Sequence, residues 1–163
     1  MLTRIFIIGH TSAGKSTYAR QLAVVLGKCP IVSGGGWVRE AFPNVTDPEG
    51  LTNAARAALR SNPDRSLAWV GDRPTTSTYQ IVEGIRNPRD FAYLCDPLKD
   101  IVVFLRAAGD LPATTWEATG VGAIHKLAAF YAETWDTRVL WVQRQGDRVQ
   151  WSAEEVGVLV KGA

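Results

Sequence analysis

An apolar, β-branched run, Leu2 to Ile8, stops at Gly9, and Gly14-Lys15-Ser16 follows a few residues later. Gly9, His10, Thr11, Ser12, Ala13, Gly14, Lys15 and Ser16 together fit the pattern G-x-x-x-x-G-K-S/T in full. Each part of that pattern has a physical reason. Glycines let successive backbone N–H groups turn inward toward phosphate oxygens. A helix opening near Lys15 adds its positive end to the same anion. Lys15 is then a point charge for the β- and γ-phosphates, Ser16 offers a hydroxyl to Mg²⁺, and Thr17 is placed to reach the α-phosphate. The pattern alone occurs by chance in unrelated chains. Here it sits between an expected buried strand and an expected helix, the context its chemistry requires.

The rest of the chain alternates in the same way. Lys15 to Leu26 carries apolar residues at helical spacing and meets Gly27, a good helix stop. Pro30–Ser33, Tyr79–Glu83, Asp100–Leu105 and Val139–Val142 read as further strands. Between them, helices are expected over Trp37–Phe42, about Glu49–Arg60, from Pro88 to near Cys95, and about Val121–Thr134. Ser152 and Glu155 form a capping box opening a last helix. Strands alternating with helices predict a three-layer α/β/α domain with a five-stranded parallel sheet covered on both faces. The 163 residues suit one domain spanning 1–163, long enough to bury roughly 70% of the unfolded surface.

Two later segments narrow the chemistry. Val32-Ser-Gly-Gly-Gly-Trp-Val-Arg39-Glu-Ala resembles the segment by which adenylate kinase-like proteins pass from their second strand into the next helix. Ile81-Val-Glu83-Gly84-Ile-Arg86-Asn-Pro-Arg89-Asp90 resembles the third-strand motif of nucleoside monophosphate kinases and their viral and archaeal relatives. Together with the loop, the resemblance covers about residues 2–106 and implies a P-loop kinase using ATP and Mg²⁺. It implies that Arg39 and Arg86 grip the acceptor's phosphate and that Glu83 holds a magnesium-bound water. Without the resemblance, Arg39 reads as a solvated helix residue and Arg86 as a partner for Asp90. Glu83 is harder to dismiss, because an acid ending a buried strand is costly without a role or a partner. The resemblance makes residues 37–78 the acceptor-binding insertion and 107–123 a short lid.

The chain departs from that pattern twice. Gly36 stands where an Asp is usual, and no arginine lies between Arg106 and Arg138, where lid arginines would be expected. The charge-stabilising role would pass to Arg106, to Arg138 or to an arginine of the acceptor region. That region is cationic: Arg56 and Arg60 share a helix face, Leu51, Ala55 and Leu59 face inward, and Arg65 and Arg73 follow. Trp37 and Trp69 are either base-stacking platforms or core aromatics. The expected acceptor is a (deoxy)nucleoside monophosphate, whose phosphate is already an anion near neutral pH and needs no general base. The alternative is a phage-type kinase acting on a hydroxymethyl base in DNA, for which Glu83 or Asp72 would serve as base. A non-catalytic nucleotide-binding module is the third reading.

Composition excludes little and agrees with this. Net charge is +2, and arginines outnumber lysines thirteen to five, which suits an anionic small ligand without demanding nucleic acid. Cys29 and Cys95 form no metal-ligand cluster and read as buried, reduced thiols. His10 and His125 are isolated in sequence. No apolar run approaches membrane-spanning length, and a cytoplasmic location is expected.

Overall fold

The computed structural model describes residues 2–9, 14–34, 36–71, 77–107, 120–145, 148–149 and 151–162. Strands β1 (Thr3–Ile8), β2 (Ile31–Ser33), β3 (Tyr79–Glu83), β4 (Ile101–Ala107) and β5 (Arg138–Gln145) pair in parallel in the order β2-β3-β1-β4-β5. A two-residue strand, β6 (Arg148–Val149), adds antiparallel to the outer edge of β5. The expected five-stranded parallel sheet is therefore present, with one short hairpin strand beyond it.

Seven helices are described: α1 (Lys15–Val25), α2 (Gly36–Ala41), α3 (Pro48–Ser61), α4 (Arg65–Gly71), α5 (Pro88–Leu94), α6 (Gly120–Trp135) and α7 (Ala153–Lys161). Local chemistry sets several ends. Gly27 takes φ 75° after α1, while its N–H bonds the Val24 carbonyl and the Lys28 N–H bonds that of Ala23. That crossed pair satisfies carbonyls the helix leaves open. Asp47 caps α3 through the Gly50 N–H and Asn87 caps α5 through the Arg89 N–H, each with proline in the first turn. Ser152 and Glu155 form the expected capping box. The short helix α4 had no counterpart in the sequence reading. It lies in a polar stretch, and what holds it is non-local: Val70 is buried in the core and the Trp69 indole packs on Gly36.

Strand alternation splits the core in two. Ile5, Ile7, Ile81, Ile101, Val103, Leu105 and Val142 face α1 and α7, where Tyr18, Leu22, Val156 and Val160 are buried. Phe6, Ile8, Val32, Val82, Val102 and Phe104 face the other way, toward Val70 of α4, Phe91 and Leu94 of α5, and Ile124 and Ala128 of α6. With both faces covered, the central strands can be apolar throughout. The carboxyl ends of β1 and β3 then emerge side by side at one edge of the sheet. This edge is where open parallel sheets bind ligands.

Candidate active site

Gly9 follows β1, and Gly14 precedes α1 with a φ of 87°, in the left-handed region that glycine tolerates. Gly14 is the N-cap of α1 and has no side chain with which to cap the first backbone N–H groups. Lys15 is buried, and its Nζ donates to the Gly9 carbonyl at 3.0 Å, across the two ends of the loop. Ser16 and Thr17 are exposed in the first turn. Residues His10, Thr11, Ser12 and Ala13 lie outside the described residues. An uncapped helix end, a lysine held across the loop and an accessible hydroxyl fit a magnesium-bound triphosphate.

Glu83 ends β3 in register with Ile7 of β1 on one side and Ser33 of β2 on the other. Its side chain therefore belongs to the same sheet edge as the loop. Gly84, at φ 79°, turns the chain away from the strand, while the Gly34 N–H donates to the Glu83 carbonyl at 2.7 Å. This bond ties the ends of β2 and β3 together.

Beyond that edge lies a cleft of about 390 Å³ lined by residues of α2, α3 and α5 and the connections beside them. Trp37, Val38, Ala55, Leu59 and Pro63 form its apolar side; Arg86, Asn87, Arg89 and Asp90 form its polar side. Arg86 is exposed and lines the cleft. Arg39 is exposed on α2, outside the described lining. The structure thus brings together Lys15, Glu83 and Arg86 along one edge, and leaves Arg39 on the outer surface of the adjoining helix.

Other expectations are corrected or sharpened. Trp37 is 4% exposed, with the Arg65 guanidinium 5.0 Å from its ring centroid, so it lines the cleft as a largely covered ring rather than an open stacking platform. A Cβ built on Gly36 would lie 3.3 Å from Cζ2 and Nε1 of Trp69. The usual Asp is thus replaced by a glycine against which an indole packs. Ala55 and Leu59 do face inward, but onto the cleft, and no residue of α3 is fully buried. Arg56 and Arg60 are exposed on its outer face. Arg138 begins β5 beside Ile101, at the opposite sheet edge, and donates to the Leu159 carbonyl at 2.9 Å. That placement removes it from the candidate lid arginines. Arg106 remains, since β4 pairs Phe104 with Ile8 and so carries Arg106 to the loop's edge. Asp72, Arg73 and the lid residues 108–119 lie outside the described residues.

His125 packs edge-on against Phe104 and Trp141, and burial lowers its pKa. Burial raises the pKa of Cys29, and it pushes Cys95 up to about 12. Neither thiol is a ready nucleophile. Among the described residues, no group of three or more His, Cys, Asp or Glu is placed to hold a metal. A magnesium site here would rest on Ser16, Glu83 and the phosphates themselves.

The same architecture is present in solved kinases. The chain aligns over 99% of its length with 98% of a shikimate kinase from Bacteroides thetaiotaomicron, at TM-score 0.56 and 18% identity. Its fold is that of the P-loop kinases. A shikimate kinase from Acinetobacter baumannii, solved with shikimate, aligns at TM-score 0.51 and 15% identity, covering 99% of this chain and 92% of that one. A Chloroflexus aurantiacus protein designated a kinase, its acceptor unnamed, aligns at TM-score 0.55 and 18% identity, over 99% and 97% of the two chains. At these identities the likeness is one of fold. No protein-family model matches the sequence, and no curated protein matches it. No helix among the described residues is long and apolar enough to cross a membrane.

Proposed function

We propose that the protein is an ATP-dependent phosphotransferase that passes the γ-phosphoryl group to a small anionic acceptor, a (deoxy)nucleoside monophosphate by preference. The observation that carries this reading is the meeting, at one sheet edge, of the loop ending in Lys15, the Glu83 carboxylate and the cleft lined by Arg86. Bound ATP supplies the phosphoryl group, and Mg²⁺ neutralises its charge. The chain's part is then to position and to stabilise charge. Lys15 and the first turn of α1 bind the phosphate tail, Ser16 offers its hydroxyl to the metal, and Glu83 orients a water on it. Arg86 holds the acceptor's anion in the cleft. Arg39, on the outer surface of α2, would reach the acceptor only by turning inward. Arg106, at the same edge as the loop, is the candidate for the lid arginine's role.

The test is transfer of label from γ-labelled ATP to a panel of deoxynucleoside monophosphates, nucleosides, hydroxylated carboxylic acids, and plain or hydroxymethylated DNA. Label in monophosphates supports the reading. Label confined to DNA or to a hydroxy acid overturns the choice of acceptor, and ATP binding without any transfer overturns the enzyme.

A further inference from the structure

Arg89 lies three residues beyond Arg86 and lines the same cleft. Its backbone is fixed: the Arg89 N–H donates to the Asn87 side chain at 2.9 Å, and Phe91 and Leu94 anchor α5 in the core. Its guanidinium is not fixed in the same way. It forms an ion pair with Asp64, a residue just ahead of α4 that is not among the residues lining the cleft. The two side chains are 57% and 64% exposed. An ion pair that exposed is weak, because water screens it and ordering two long side chains opposes it. A phosphate entering the cleft beside Arg86 would offer the Arg89 fork a better partner, bidentate and more shielded from solvent.

We propose that Arg89 is a second ligand for the acceptor's phosphate, held in reserve on Asp64 until the acceptor arrives. This rests on the acceptor cleft assigned above. Asp64 then acts as a competitor: it weakens acceptor binding by having to be displaced from Arg89. Arg89 is a binding residue of the site, and Asp64 a positioning residue that acts through it.

The distinguishing experiment is calorimetric titration of inorganic phosphate into the full chain saturated with ADP·Mg²⁺, for the wild type, Arg89→Ala, Asp64→Asn and Arg86→Ala. Arg89→Ala should weaken phosphate by about tenfold, as loss of a charge-assisted pair does, and Asp64→Asn should tighten it by about threefold. ADP affinity should not move in either. The opposite signs matter, since partial unfolding would weaken binding in both variants. The proposal is overturned if Arg89→Ala leaves phosphate affinity unchanged, if Asp64→Asn weakens it, or if the wild type takes up no phosphate. Label transfer from ATP is read separately. Its absence beside an intact phosphate response counts against the kinase reading alone.

Discussion

The Trp69 indole packs over Gly36, with Cζ2 and Nε1 both 3.3 Å from where a Cβ would stand. A departure that looked like a missing carboxylate is, in the folded protein, a close contact between α2 and α4. Restoring the carboxylate by Gly36→Asp should cost about 1–3 kcal/mol of stability, because the indole must give way. In urea melts Trp69→Ala should absorb most of that penalty, so the double variant should be less destabilised than the sum of the singles. Simple additivity would show that the contact is not the cause.

Lys15 presents its charge across the mouth of the loop from a buried stem. Lys15→Ala should cut phosphoryl transfer by at least about 100-fold, as losing a preorganised charge at a transferring phosphoryl group does. Steady-state assays with γ-labelled ATP check it. Transfer surviving at near wild-type rate would remove the loop from the chemistry.

Arg86→Ala should raise the acceptor's KM with a smaller fall in kcat, since the residue faces the cleft rather than the loop. A fall in kcat with KM unchanged would instead place Arg86 on the transition state, and no change in either would make it structural.

His125 packs edge-on against the stacked rings of Phe104 and Trp141, with its pKa lowered by burial. The unfolded chain takes up a proton at about 6.5, whereas the folded protein resists it to lower pH. This group's contribution is therefore fully present above that value and is lost as pH falls through it toward the lowered folded value. Thermal melts from pH 8 to pH 5 should show the decline, and His125→Phe should flatten it.

Asp100 is 2% exposed and accepts from the backbone N–H of Arg4 at 2.8 Å and of Asp96 at 2.7 Å. Burial outweighs those donors and raises its pKa. The folded state then holds the proton more tightly, so this contribution is greatest at low pH and falls as pH rises through the carboxylate range to the raised value. Asp100→Ala should remove that slope and leave two backbone donors without acceptors, at about 1–3 kcal/mol. Denaturant midpoints between pH 3 and pH 7 measure both effects.

Much of this architecture was legible from short stretches of chain. The loop's glycines and lysine, the Gly27 stop, the Asn87–Pro88 start and the Ser152–Glu155 box all act over a few residues, and β3 matched its expected bounds. Parallel strands buried on both faces announce themselves as unbroken apolar runs, so the fold class followed as well. What sequence alone determined, then, is the strand and helix that carry Gly9 and Lys15 and the layers around them, because those depend on backbone geometry and local periodicity. The surroundings of the cleft were decided only in three dimensions. Trp37 was buried along the cleft wall, Arg138 went to the far edge, Arg39 fell outside the cleft, and Arg89 found Asp64 across 25 positions of chain. Such pairings join elements distant in sequence, and no local spacing encodes which side chain a folded sheet will bring beside another.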